Sequence, residues 1–199
     1  PSTVKKLGVL GGGMMGQGIT YVAAKAGVEV IMLERTQELA DKGKGYSKSL
    51  VEKGIARGTE TQANGDALLA RITPVTDFAA LKDVDMIIEA VFEDRAVKAE
   101  ATAKTQAVIR PDVVFASNTS TLPISGLAET FARPNQFIGL HFFSPVDRMQ
   151  LVEVILGAKT SEETLAKALD LVKQIRKTPI VVNDKRGFYT SRCFRTFPD

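Results

Sequence analysis

The sequence predicts an α/β fold in which a doubly wound, mostly parallel sheet carries helices on both faces. Three observations support this. First, Val4, Leu7, Val9 and Leu10 form a short apolar run, Gly11, Gly13 and Gly16 fit G-x-G-x-x-G, and Ile19, Val22, Ala23 and Ala26 then recur at i, i+3, i+4 and i+7. That order is strand, tight turn, helix. Second, Val84 to Ala90 (VDMIIEA) is a nearly continuous apolar run of the kind that a parallel sheet buries on both faces. Third, such runs alternate with helical patterns along the chain, which makes the fold Rossmann-type.

The glycine turn has a chemical reading. Gly11 permits the sharp bend, Gly13 lets main chain approach a pyrophosphate with no Cβ in the way, and Gly16 lets the helix pack close to the strand. Phosphates then sit on the free N–H groups and positive dipole end of that helix. Glu34 closes the next strand, VEVIML, where a ribose-binding acid belongs. A carboxylate there accepts hydrogen bonds from the adenosine ribose and repels a 2′-phosphate, so the expected cofactor is NAD. The adjacent Arg35 would serve NADP instead. The bland alternative is a glycine-rich turn beside a solvated glutamate.

Composition narrows the function classes. The 199 residues are 44% hydrophobic and 25% charged, ordinary for a globular chain with one good-sized core. A net charge of +3, with no basic stretch interleaved with aromatics, gives no ground for a nucleic-acid partner. No apolar run approaches the roughly 20 residues of a membrane span, and the N-terminus lacks a signal-peptide pattern. The lone Cys193 rules out an internal disulfide and a cysteine-rich metal site, so a cytoplasmic or similarly reducing compartment is expected. Any imidazole chemistry must use His141, the one histidine.

Along the chain, Gln37 to Arg57 reads as a helix with an apolar stripe of Leu39, Tyr46 and Leu50, loosened by Gly43 and Gly45. Its other face carries Lys42, Lys44, Lys48, Lys53 and Arg57, which are either simply solvated or a docking surface for an anionic ligand. Gly58 to Gly65 is a polar turn, followed by a short helix and a strand at Ile72 to Val75. A helix from about Asp94 to Ile109 follows the Val84 to Ala90 strand, and dipole stabilisation suffices to explain Asp94. Val113 to Ala116 is a strand running into Ser117, Asn118, Thr119, Ser120 and Thr121, which are either ligand-facing polar groups or a turn with a cap. Phe137 to Leu140 and Leu151 to Leu156 are strands, Ser161 caps an amphipathic helix with Leu165, Leu169 and Val172 on its stripe, and Thr178 to Val182 is a last strand.

His141 ends one strand, and Glu153 stands inside the apolar run LVEVIL, where an unpaired carboxylate is expensive. One pairing accounts for both. If the two strands are neighbours, Glu153 hydrogen-bonds one imidazole nitrogen, sets the tautomer and favours the cation. The other nitrogen is then free to take a proton from a substrate hydroxyl, which in an NAD site means alcohol oxidation. The competing reading is a satisfied structural histidine. A metal site is not expected, since one histidine without a supporting cluster makes no ordinary zinc site.

These stretches together resemble the NAD-binding domain of L-3-hydroxyacyl-CoA dehydrogenases, most closely the version inside multifunctional fatty acid β-oxidation proteins. The resemblance covers nearly the whole chain through LGVLGGGMMGQGI, IIEAVFED, FASNTSTLPIS, GLHFFSPVDRMQLVEVI and TPIVVNDKRGFYTSR. It implies that His141 is the catalytic histidine and Glu153 its partner, that Ser120 contacts substrate, and that Met15, Glu34, Glu93 and Lys98 contact NAD. It also puts Ser49, with Lys53 and Arg57 nearby, in the helix that binds CoA. Ser144 and Ser191 stand where many members have substrate-polarising or neighbouring asparagines.

The family implies a domain division as well. Residues 1–186 would be the NAD-binding domain and 187–199 the start of a truncated helical domain, which completes the cleft and often a dimer in relatives. The expected activity is NAD-dependent oxidation of L-3-hydroxyacyl-CoA to 3-ketoacyl-CoA, with an acyl-CoA substrate and a homodimer or larger β-oxidation complex for the full-length protein. Two alternatives stay open: a binding module without turnover, and a dehydrogenase of a small hydroxy acid not attached to CoA.

Overall fold

The structure, a computed structural model, describes residues 1–185 and 188–190. Its strands are β1 (Lys6–Leu10), β2 (Glu29–Leu33), β3 (Ile72–Val75), β4 (Met86–Glu89), β5 (Val114–Ser117), β6 (Phe137–Phe142), β7 (Leu151–Leu156) and β8 (Thr178–Asn183). Its helices are α1 (Met14–Lys25), α2 (Gln37–Ala56), α3 (Gln62–Ala70), α4 (Arg95–Gln106), α5 (Ile124–Ala128) and α6 (Glu162–Gln174). The strands form one sheet in the order β3-β2-β1-β4-β5-β6-β7-β8. All neighbours are parallel except β6 and β7. The chain winds outward from β1 to β3 and restarts on the other side of β1 at β4, so a crevice opens at the C-terminal ends of β1 and β4.

Because side chains alternate along a strand, the sheet feeds two cores. Leu7, Val9, Met86, Ile88, Val114, Ala116, Ile138 and Leu140 pack with Ile19 and Val22 of α1 and Ala168 and Leu171 of α6. Leu10, Ile87, Phe115, Phe137 and Ile155 point the other way and pack with Ile124 and Leu127 of α5. The same period of two sends Glu89, Ser117, His141 and Glu153 to that second face, in line with Ile87, Phe115, Phe137 and Ile155. Four polar groups are thereby gathered on one side of the sheet.

The buried face of α2 differs from the expected stripe. Ala40, Gly43, Ser47 and Val51 are buried, whereas Leu39 is 36% exposed and Tyr46 and Leu50 are half-buried. Small residues let this helix lie close to β2: a Cβ on Gly43 would stand 2.7 Å from Met32 Cε and 3.1 Å from the Gly12 carbonyl. Gly43 is therefore a packing point, and the helix continues through it. Tyr46 donates to Asp147 Oδ1 at 2.9 Å; burial first, then that carboxylate, pushes the phenol up to about 12.

Three smaller differences have local causes. Helix α3 begins inside the expected turn because Thr61 caps it by accepting from the Asn64 N–H. In α6, Thr164, Ala168, Leu171 and Val172 are buried, with Leu165 and Leu169 at the margin of the core. Strand β6 runs past Leu140 to Phe142, because the Asn118 side chain continues the ladder where β5 stops, accepting from the Phe142 N–H at 2.9 Å.

Candidate active site

The glycine turn has the geometry its residues imply. Gly11 has φ +93, and a Cβ on it would meet the Ala90 carbonyl at 2.7 Å, while a Cβ on Gly16 would fall 1.8 Å from the Gly11 carbonyl. No side chain fits at either. Around Gly13 the position of a Cβ is open, with nothing within 4 Å. Gly13 starts α1 without any side-chain cap, whereas Thr36, Thr61, Asp94 and Ser161 cap α2, α3, α4 and α6. The first N–H groups of α1 thus face an open cradle suited to a phosphate. Glu34 is drawn against this turn: Oε1 accepts from the Gly12 N–H at 2.7 Å and Oε2 from the Arg35 N–H at 3.0 Å. Arg35 is exposed, and Met15 is half-buried against the first core.

His141 and Glu153 are direct cross-strand partners in the antiparallel β6–β7 pair. Nδ1 lies 3.0 Å from Glu153 Oε1. Glu153 is fully buried and collects further donors: Oε2 accepts from the Tyr189 and Thr190 N–H groups at 2.9 and 3.4 Å, and Oε1 from the Thr190 hydroxyl. Burial pushes this carboxyl up, but the bonds from His141, Thr190 and Tyr189 outweigh it and hold the pKa below the usual carboxylate range. An ionised carboxylate can only accept, so Nδ1 carries the proton and Nε2 of the neutral ring is the basic nitrogen. Phe143 and Phe188 flank the imidazole at centroid distances of 4.6 and 5.9 Å. The arrangement can accept a proton at Nε2 and stabilise the resulting charge.

A second cluster of carboxylates lies at the ends of β4 and β5. Lys98 is 2% exposed; its ammonium reaches Glu89 Oε1 at 2.7 Å, Glu93 Oε2 at 3.2 Å and the Val91 carbonyl at 3.3 Å. The ammonium is thereby held between the two acids. Glu93 Oε1 accepts from the Thr119 hydroxyl and from the Ser120 and Thr121 N–H groups at 2.9 and 3.2 Å. Burial raises the Glu93 pKa, but Thr119, Lys98 and Ser120 together pull it down to about 2. The run from Thr119 to Thr121 is thus a loop clasped by Glu93, with the Ser120 side chain left exposed. Asp94 has the structural role expected of it, capping α4 through the Ala96 and Val97 N–H groups.

Residues 6–185 match the protein family described as 3-hydroxyacyl-CoA dehydrogenase, NAD binding domain. The chain belongs to this family. NAD is accordingly its cofactor, in agreement with the open turn at Gly13 and the acid at Glu34. The fatty acid oxidation complex subunit alpha of a Shewanella species is 45% identical over 202 residues, a match covering 99% of this chain and 28% of that protein. The chain therefore spans less than a third of the length of that relative. A solved (S)-3-hydroxybutyryl-CoA dehydrogenase from Ralstonia eutropha superposes with a TM-score of 0.94 at 35% identity, covering 96% of this chain and 68% of that one. A 3-hydroxybutyryl-CoA dehydrogenase from Escherichia coli gives 0.90 at 32%, covering 94% and 39%.

Other residues singled out in this NAD-binding domain lie on α2, on the turn after β6 or outside the described residues. Ser49 is half-buried on α2, and Lys53 and Arg57 are exposed at the end of that helix. Lys44 leaves the basic face to bond the Ile72 carbonyl, and Lys48 pairs loosely with Glu52 at 3.9 Å. Ser144 is exposed on the turn after β6. Ser191, Cys193 and most of the expected helical segment 187–199 lie outside the described residues. Among the described residues no cluster of His, Cys, Asp or Glu could hold a metal, and no helix is long and apolar enough to cross a membrane.

Sequence reasoning missed the roles of Glu89 and Thr190. Glu89 carried the same signal as Glu153, an acid closing an apolar strand, and the same demand for a partner would have found it. Thr190 reaches Glu153 across 37 residues and left no local sign.

Proposed function

We propose that this domain belongs to an enzyme that reversibly oxidises L-3-hydroxyacyl-CoA to 3-ketoacyl-CoA in fatty acid β-oxidation. The observation that carries this reading is the 3.0 Å contact of His141 with a buried, ionised Glu153 on the sheet face that also bears Glu89 and Ser117. In oxidation, Nε2 of His141 takes the proton of the 3-hydroxyl; in reduction the imidazolium returns it to the carbonyl oxygen. Bound NAD supplies the acceptor for the hydride that leaves C3. Glu153 holds the ring in one tautomer and offsets its charge, and Ser120 positions the substrate oxygen. Gly11, Gly13, Gly16, Met15, Glu34, Glu93 and Lys98 hold the cofactor, Lys98 by bracing Glu93. Ser144 and Ser191 lie along the substrate, and Ser49, Lys53 and Arg57 take the CoA moiety. Residues 1–186 form the NAD-binding domain and 187–199 begin a helical one. The full-length protein works in a reducing, cytoplasmic setting as a homodimer or part of a β-oxidation complex, as suits a chain with one cysteine and relatives named as complex subunits.

The test is single-turnover reduction of acetoacetyl-CoA by NADH. In the full-length protein, His141→Ala lowers the rate roughly 10²- to 10⁴-fold and leaves NAD affinity unchanged; loss of both together sinks the assignment. NAD binding with no turnover by the unaltered protein selects the reading of a binding module. Charge reversal at Lys53 and Arg57 raises KM for the CoA substrate, and an unchanged KM favours a small hydroxy acid instead.

A further inference from the structure

Glu89 takes no part in that chemistry, yet it is 1% exposed at the end of β4. A carboxylate buried this deeply is costly unless compensated. Oε1 accepts from the Lys98 ammonium and, at 2.8 Å, from the Val91 N–H; Oε2 accepts from the Ser117 hydroxyl at 2.6 Å. Lys98 needs one carboxylate for neutrality, and Glu93 already supplies it at 3.2 Å. The second acid gives the trio a formal charge of −1 where water screens it poorly.

The position of the trio matters as much as its charge. The β4–α4 turn abuts the glycine turn, since a Cβ on Gly11 would touch the Ala90 carbonyl at 2.7 Å. On the far side, Asn118 takes its N–H bond to the Glu89 carbonyl at 2.7 Å and accepts from Phe142, the neighbour of His141. The trio thus occupies the ground between the phosphate cradle and the imidazole. A dinucleotide held at the first and reacting beside the second must carry its nicotinamide over this interval. The oxidised ring bears a formal positive charge and the reduced ring none.

We propose that Glu89 biases the bound cofactor toward its oxidised form by making the Glu89–Lys98–Glu93 cluster a net anion beside the nicotinamide. This rests on the NAD-binding reading above. Glu93, held ionised down to about pH 2, keeps its charge throughout the working range. Glu89 is a positioning residue for charge, its carboxylate oxygens being taken up by Lys98, Val91 and Ser117.

Titration of NADH by fluorescence, with NAD as competitor, measures both affinities without turnover. Glu89→Gln keeps the shape and removes one charge. A unit charge about 10 Å away, at an effective dielectric of about 20 to 40, changes an affinity roughly four- to fifteenfold. The ratio of Kd for NAD to Kd for NADH is expected to rise by that factor, with NADH the less affected. That is an upward shift of about 18 to 35 mV in the bound couple, at about 30 mV per tenfold. If both affinities fall by the same factor, Glu89 only supports packing and the proposal is overturned. Glu93→Gln, at a partly exposed side chain, is expected to move the ratio in the same direction and serves if Glu89→Gln does not fold; equal weakening there also overturns it. Failure of the unaltered protein to bind either form is a separate result, which removes the cofactor reading itself.

Discussion

Two buried carboxylates, Glu153 and Glu89, share one face of the sheet, and they differ in the cation each acid meets. Glu153 meets His141, an imidazole, whose kind gains and loses a proton between about pH 5 and 8. Glu89 and Glu93 meet Lys98, whose ammonium lies 2.7 and 3.2 Å from their carboxylate oxygens. Under the proposed function the same acid type on the same face has two jobs. Beside an imidazole it serves a proton transfer; beside a lysine it supplies a fixed charge, and its neighbour Glu93 ties the Thr119–Thr121 loop down. What a buried carboxylate does is set by whether its partner can change charge.

The sharpest way to break this contrast is Glu153→Ala. It strips His141 of its orienting acceptor and leaves the Thr190 and Tyr189 donors unmatched, so kcat is expected to fall roughly 10²- to 10⁴-fold, measured by steady-state oxidation in the full-length protein. Lys98→Met is the matching experiment on the other cluster. It leaves two carboxylates facing each other without a cation, and loss of one partner of a buried pair costs roughly 3 to 5 kcal/mol, readable by urea denaturation. A larger loss of stability from Glu153→Ala than from Lys98→Met would reverse the division of labour.

Acid titration separates the clusters with the smallest effect. The Glu93 pKa is about 2 in the fold against an ordinary 4.5, so its stabilisation is complete above about 4.5 and disappears as pH falls towards 2. Glu153, also depressed, contributes with the same sign. Melting temperature is expected to decline across that window, and Glu93→Gln should flatten part of the decline. An unchanged slope in the variant would mean that the Thr119–Thr121 clasp contributes nothing to folding.

Legibility in the sequence followed sequence distance. The glycine turn is local, and its strand, turn, helix and acid lie within one stretch. The His141–Glu153 pair was also readable, because the acid interrupts an apolar strand and the two residues sit on consecutive elements. The α2 stripe misled because Leu39 and Leu50 look like core residues while Ala40, Gly43 and Ser47 do not; the short distance to β2 selected the small ones. Lys98 was named through the family resemblance as a cofactor contact, and nothing nearby in the chain announced that Glu89 is buried against it.

Residue order alone determined the class of fold, the glycine turn that opens the first helix and the lone histidine as the only source of imidazole chemistry. These follow from periodicity and composition, which any short window of chain displays. Only the folded sheet decided which acid meets which cation, because that pairing depends on strands β4, β5, β6 and β7 lying side by side with matched registers. Electrostatic energy depends on separations of a few ångströms in space, and it is the register of the sheet that sets those separations here.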